Sequence, residues 1–371
     1  MDRTIRVLVI VGSLELGGTE HYIVRVAPLL RRYGIEVEIC LLDRRGPLLG
    51  QAEAADILVH GTRARSYRSR TIAYAGGVTV FDIASLIRRR RFNIVHSYLF
   101  HAELVGTPAA RLARVPRVII SRRAVYPWRR PSGAPYLLLE TSTNMLADEL
   151  IANSQVVLHD VQRTERFLPK TRTVIYNGVD ATQYTLATPT RGRLLRLVTV
   201  GALAPRKGQI YAIEALRLVR DGGVDARLTL VGGGSDELLL RHAAGNFGVE
   251  QHVVFAGPQT DPRPFLLDAD MFLLPSRQEG FSNALLEAMA SGLPAVVTDV
   301  GGNREAIVEG EGGFIVPPFD PSALARAVTA LARSPVALTT MGQSNRRRVE
   351  AVFSLDASAR ALANWYRAPA R

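Results

Sequence analysis

Short apolar runs recur along this chain with room for one helix between neighbours, and nothing else constrains its fold so tightly. The first half carries such runs at 6–11, 37–42, 94–96, 118–120, 150–152 and 173–175. The second half carries them at 197–200, 227–231, 253–256, 271–274, 295–298 and 314–316. Strand, helix, strand at this rhythm predicts parallel sheets covered by helices on both faces. Two sets of about six strands predict an α/β chain with two Rossmann-like domains, and 371 residues are enough for two cores. The boundary is expected near Ala187-Thr188-Pro189, giving domains over 1–185 and 186–353. Residues 354–371 carry a last helical stretch with Leu362, Trp365 and Tyr366.

The stretch from Met271 to Thr298 concentrates the chemistry. Met271-Phe272-Leu273-Leu274 reads as a buried strand stopped by Pro275, and Ala295 to Thr298 as the next. Between them a helix is expected to start at Ser282 or Asn283, both good caps, and to stop at Gly292. It is apolar nearly all round (Ala284, Leu285, Leu286, Ala288, Met289), so it belongs in the interior. Yet it carries Glu287, and Glu279 precedes it. A buried carboxylate needs a partner or a ligand. Backbone N–H groups at a helix start suit a phosphate, and the two carboxylates suit the hydroxyls of a sugar and a ribose. A capped core helix with Glu287 in a salt bridge is the plainer alternative.

The loop Gly201-Ala202-Leu203-Ala204-Pro205-Arg206-Lys207-Gly208 follows the first strand of the second half. Adjacent cations at the carboxyl end of a strand suit a pyrophosphate, Arg as a fork and Lys as a point charge. Gly232-Gly233-Gly234 is a second strand-to-helix turn, with Gly233 expected near the nucleotide. In the first half, Gly12 to Thr19 almost spells a P-loop, but Gly18 stands where the lysine is needed. An NTPase is therefore disfavoured. The loop is no G-x-G-x-x-G either, which removes the main support for a hydride-transfer enzyme. What remains is a Gly17-Gly18 turn and a helix capped by Thr19, where backbone can approach a diphosphate or an acceptor. His96 and His101 follow the strand at 94–96, at the edge where open α/β sheets bind ligands.

Glu279 and Glu287, with seven residues between, resemble the E-x7-E signature of retaining glycosyltransferases of the GT-B fold. The longer string from Leu274-Pro275-Ser276 through Glu279-Gly280-Phe281 and Leu286-Glu287-Ala288-Met289-Ala290 to Gly301-Gly302 resembles glycosyltransferase family 4. The resemblance implies two Rossmann-like domains facing each other across a cleft, with the last helix crossing back to the first. It implies transfer of a sugar from a nucleoside diphosphate sugar, UDP-sugar before GDP-sugar, with retention and without a metal or other cofactor. Arg206 and Lys207 would stabilise the departing diphosphate, and Glu279 would orient the sugar. Glu287 would hold the ribose. Gly17, Gly18, Gly201, Gly233, Ser282, Asn283, Ala284 and Leu285 would line the donor. His101 matches a histidine that contacts the donor sugar, and His96 a supporting one. Asp268-Ala269-Asp270 has the spelling of a metal-binding D-x-D, but it matches a structural position of the family.

Net charge is +12, and it is uneven: residues 1–180 hold 26 Lys and Arg against 16 Asp and Glu, the remainder 20 against 18. The excess clusters at Arg63, Arg65, Arg68 and Arg70, at Arg88–Arg91, and at Arg122, Arg123, Arg129 and Arg130 beside Tyr126 and Trp128. Basic charge with aromatics suits a peripheral contact with an anionic membrane, and a lipid-linked or saccharide acceptor fits it. No nucleic-acid motif accompanies the arginines. Nothing resembles a signal peptide or a membrane span, and the lone Cys40 excludes a disulfide framework. A cytoplasmic enzyme, working at the inner face of the membrane, is the expectation. A non-catalytic basic binding subunit is the alternative from another class, and a sugar-nucleotide epimerase the alternative among enzymes.

Overall fold

The computed structural model describes residues 4–62, 72–125, 134–187 and 194–369. Residues Met1–Asn177 with Leu355–Arg371 form one compact unit, and Gly178–Ser354 form another.

In the first unit β1 (Ile5–Val11), β2 (Ile35–Leu41), β3 (Val59–Gly61), β4 (Ile94–Tyr98), β5 (Arg117–Arg122), β6 (Glu149–Ala152) and β7 (Thr171–Val174) make one sheet. Their order is β3-β2-β1-β4-β5-β6-β7, and all pairs are parallel. β3 has no counterpart among the apolar runs. Its three residues, Val59-His60-Gly61, sit at the sheet edge and need no two-sided burial. In the second unit β8 (Leu195–Val200), β9 (Ala226–Val231), β10 (Val253–Gly257), β11 (Met271–Leu274), β12 (Ala295–Thr298) and β13 (Gly313–Val316) follow. They run in the order β10-β9-β8-β11-β12-β13, again parallel throughout.

Both sheets are covered as the rhythm predicts. On one face of the first, Ile23, Val26, Ala27 and Leu30 of the helix Gly18–Leu30 pack with Leu355, Ala359, Leu362 and Tyr366 of the last helix, Leu355–Arg367. That last helix is therefore part of the first unit. On the other face, Leu8, Ile10 and Val95 meet Ile83 and Ile87 of the helix Ile72–Arg90 and Val105 and Ala109 of the helix Phe100–Leu112.

Each order changes direction once, between β1 and β4 in the first sheet and between β8 and β11 in the second. At such a point the loops leaving the two strands diverge to opposite faces and open a crevice at their carboxyl ends. The segments leaving β1, β4, β8 and β11, loop or first helical turn, carry Gly17 and Gly18, His101, Arg206 and Lys207, and Glu279.

One charge cluster is misread from sequence. Arg122 and Arg123, expected among the membrane-facing arginines, are buried. The Arg122 guanidinium is enclosed by Glu103, Glu165 (2.9 Å) and Asn144 (2.9 Å). Arg123 lies over the rings of Tyr22 and Tyr98. Arg63, Arg65, Arg68, Arg70, Tyr126, Trp128, Arg129 and Arg130 lie outside the described residues. No helix of the described residues is long and apolar enough to cross a membrane.

Candidate active site

In the second unit the backbone builds the site before any side chain does. β8 runs out through Gly201 into the turn Pro205–Lys207, which closes on Gly208 at φ 64°. A Cβ on Gly208 would stand 2.2 Å from the Pro275 carbonyl oxygen, so this loop touches the one after β11 main chain to main chain. The amides of Arg277 and Gln278 donate to the Arg206 carbonyl at 2.8 and 3.2 Å. Two loops separated by some seventy residues are thereby stitched together above the crossover.

The stitching aligns the charges. Lys207 Nζ lies 2.6 Å from Glu279 Oε1, and Ser276 Oγ donates to the same oxygen at 2.7 Å. Glu279 and Ser276 are buried. Thr298, at the end of β12, lies with Oγ1 2.6 Å from the Ser276 carbonyl and so fixes the residue that fixes Glu279. From the far side, Gly301 at φ 54° packs where a Cβ would come within 2.4 Å of the Glu279 carbonyl oxygen. The Gly302 amide donates to Gly280 at 2.7 Å. Ser276 and Thr298 were not singled out from sequence. The first stands in the Leu-Pro-Ser string, but nothing local marks the second.

The helix Asn283–Ala290 starts where expected, with Ser282 Oγ accepting from the Leu285 amide at 3.3 Å, and Gly292 follows its end at φ 72°. Leu285, Leu286 and Met289 are wholly buried, each contributing about 1.5–3 kcal/mol as an upper bound. Asn283 and Ala284 are half-buried at its open end, where the first-turn amides point outward. Glu287 is buried one turn in, and its carboxylate acts on Arg263, which Asp261 chiefly holds charged.

Nearby glycines have a packing reason. A Cβ on Gly232 would meet the Gly201 carbonyl oxygen at 2.0 Å, and one on Gly234 that of Leu203 at 2.1 Å. Gly233 accepts from the Leu203 amide at 2.9 Å, and a Cβ there would meet the Pro258 ring at 3.3 Å. Asp270 belongs to the scaffold: it binds the Arg196 backbone amide (2.8 Å) and guanidinium (3.0 Å), and Asp268 pairs with the same arginine at 2.5 Å.

The first unit is looser. The helix after β1 begins at Gly18 with Gly17 as its cap and no side-chain capping bond, so Thr19 does not cap it as expected. Thr19 lies one residue inside the first turn. Glu20, which sequence reasoning passed over, folds its carboxyl back onto the turn: a Cβ on Gly17 would stand 2.1 Å from Oε2. Burial raises the proton affinity of Glu20, and the charge of Arg123 works against that rise. The spelling Gly-Gly-Thr-Glu was the available signal.

Beyond β4, Leu99 sits at φ 72°, ψ 153°, a region that side-chain-bearing residues enter at a cost of about 1–3 kcal/mol. That bend delivers His101 to the first turn of the helix Phe100–Leu112, exposed and edge-on to Phe100 at 5.5 Å. Loss of water around its ring lowers its proton affinity, which favours the neutral imidazole. His96 is wholly buried between Tyr366 Oη (2.6 Å) and Ser121 Oγ (2.8 Å), neutral through burial first and Arg123 second. It supports the sheet and the last helix.

Residues 195–334 match the family described as Glycosyl transferases group 1, and residues 16–183 match Glycosyltransferase Family 4. The glycogen synthase of Mycobacterium tuberculosis is 31% identical over 296 residues, covering 76% of this chain and 70% of the synthase. The chain belongs to glycosyltransferase family 4. As a family 4 enzyme it is a retaining glycosyltransferase that uses a nucleotide sugar. The D-inositol 3-phosphate glycosyltransferase of Streptomyces scabiei is 27% identical, with 96% of this chain and 87% of that protein aligned. HepE of Anabaena, solved with UDP-glucose, superposes with a TM-score of 0.84 at 21% identity, over 97% of this chain and 99% of that one. That likeness gives the family 4 chain its GT-B fold.

Proposed function

We propose that this enzyme moves a hexosyl group from a UDP-sugar to a hydroxyl of a lipid-linked or saccharide acceptor at the cytoplasmic face of a membrane. The observation that carries the donor half is the stitched pair of loops after β8 and β11, with Lys207 and Glu279 2.6 Å apart in a buried setting. A diphosphate arriving there meets Lys207 as a point charge already held by Glu279, and exposed Arg206, whose carbonyl is tied to the loop after β11, as a fork. Lys207 has three donors, so it can serve a phosphate while keeping Glu279 aligned. Glu279 then orients the sugar through its hydroxyls, and Glu287 accepts from the ribose diol. The outward amides at Ser282, Asn283 and Ala284, beside the Leu285 amide that Ser282 caps, add the positive end of a helix dipole next to the leaving β-phosphate. Gly201 and Gly233 let backbone lie close to the nucleotide, and the Gly17-Gly18 turn lets it lie close to the diphosphate or acceptor.

Charge develops on the β-phosphate as the glycosidic bond breaks. Fixed cations and dipoles stabilise it without reorganising, and the departing diphosphate takes the proton of the incoming hydroxyl. No side chain has to act as nucleophile. The family pattern assigns His101 to the sugar or the incoming hydroxyl, and a neutral imidazole can do either. UDP is favoured over GDP because the superposable HepE was solved with UDP-glucose.

Thermal unfolding with UDP, GDP, ADP or TDP, each with magnesium and with EDTA, tests the reading. A ligand at about 100 times its Kd adds roughly 2.7 kcal/mol. UDP alone should raise the Tm, in EDTA as well, and Glu287→Ala should remove the shift. A shift with GDP alone overturns the donor, and a shift abolished by EDTA overturns metal independence. No shift with any nucleotide would leave a binding subunit in place of the enzyme.

A further inference from the structure

The helix Ala134–Leu146 is built inside out. Its inward residues Glu140, Thr143 and Asn144 are buried, Asn144 bonded to both Arg122 (2.9 Å) and Glu165 (3.0 Å). Among its described side chains the exposed ones are Leu138 (73%), Met145 (66%), Leu139 and, as the one polar member, Ser142. A helix covering a soluble core shows the opposite pattern. Polar groups fasten this one from within, and that leaves apolar side chains standing in water.

The neighbouring helices continue the surface. Helix Phe100–Leu112 packs between Ile72–Arg90 and Ala134–Leu146, and it presents Leu104, Pro108 and Leu112 outward. Arg111 Nε donates to the Leu146 carbonyl at 2.8 Å, and Arg88 to the Leu112 carbonyl, so the three helix ends adjoin. Phe81 stands 68% exposed, two turns before Arg88 on one face of its helix. Exposed Arg88, Arg89 and Arg114 fringe the apolar strip. Exposed apolar side chains on adjoining helices mark an interaction site, and their basic fringe selects an anionic partner.

We infer that the outer face of these three helices docks on an anionic lipid bilayer, with Leu138, Leu139, Met145 and Phe81 entering the headgroup boundary and the arginines meeting lipid phosphates. The inference extends the lipid-side acceptor reading and rests on it for its purpose. Its test needs neither donor nor acceptor.

The experiment is flotation of the full chain with vesicles of phosphatidylcholine alone or mixed with phosphatidylglycerol. The protein should float with the mixed vesicles only, and less so as salt rises. Leu138→Ser with Met145→Ser should lower binding about tenfold or more, and so should Arg88→Glu with Arg89→Glu. The UDP thermal shift, read on the same variants, should stay as in the wild type, which separates this surface from the donor site and reports intact folding. No flotation with mixed vesicles, or equal flotation of the variants, overturns the inference. So does a wild-type dimer in solution that Leu138→Ser with Met145→Ser converts to a monomer, because a second copy then covers the face.

Discussion

Above the crossover of the second sheet, the loops after β8 and β11 are joined to each other by backbone hydrogen bonds, by a Gly208–Pro275 contact and by the Lys207–Glu279 pair. Above the crossover of the first sheet, the loop after β1 is tied sideways instead. Leu14 donates to Arg45 and Asp43 donates to Gly12, both towards β2. His101 stands on the other side of that crevice, exposed, on a bend that costs energy to hold. The same topology thus carries one crevice whose two loops are bonded to each other and one whose first loop is bonded to the segment after β2. Loops stitched to each other suit the part of the substrate that a family shares, and a loop tied to a neighbouring strand suits the part that differs between members.

The largest test of this contrast is at the stitched loops. Lys207→Ala should lower transfer by roughly 10²- to 10³-fold, the cost of losing one preorganised charge on the leaving group. It should also destabilise the fold by about 3 kcal/mol, since Glu279 is left buried without its cation. Glu279→Gln should keep the fold and lose comparable activity. Single-turnover kinetics and denaturant unfolding check both.

Next comes the backbone. Gly301→Ala places a Cβ against the Glu279 carbonyl at an unfavourable φ, so a loss of about 2 kcal/mol is expected, with the nucleotide thermal shift weakened. Gly245→Ala, in the helix Glu237–Asn246 with nothing within 4 Å, is the matched control and should gain up to about 1 kcal/mol.

The first unit offers a smaller, pH-dependent effect. Three carboxylates, Glu103, Glu140 and Glu165, surround one Arg122, and burial pushes Glu103 up to about 7. The folded chain therefore holds that proton more tightly than the unfolded one. Stability from this group is full below about pH 4.5 and is lost as pH rises through about 7. Glu103→Gln should flatten that slope and raise the Tm above pH 7. A steeper slope in the variant would mean that Glu103 is ionised in the fold.

The smallest expected effect is at His101. His101→Ala should change stability by no more than about 0.5 kcal/mol, as at other exposed sites, while transfer falls about tenfold. A loss matching that of Lys207→Ala would erase the contrast between the two crevices.

How much of this was legible follows the same line. The loops proposed to hold the donor could be read because Glu279 and Glu287 lie within one loop and helix, and Arg206 and Lys207 are adjacent. The strands were found wherever they are apolar through and through. What escaped depends on partners distant in sequence. Arg122 looked like a surface charge because Glu103, Asn144 and Glu165, which neutralise and bury it, come from three separate segments. The Thr298 bond to Ser276 spans a whole strand–helix unit, and β3 is too short and polar for any periodicity to mark it.

The last helix sets an order of events during synthesis. Arg117 donates to the carbonyls of Trp365, Tyr366 and Ala368, and Tyr366 holds His96 under the first sheet. Those partners leave the ribosome only after the whole of the second unit has done so. The segment translated first therefore emerges with an open apolar groove, its Arg117 held by Glu149 alone and its His96 by Ser121 alone. Domains of nascent chains are generally completed from the N-terminus onward. Here the inserted unit can finish first, and the half that begins the chain is sealed last.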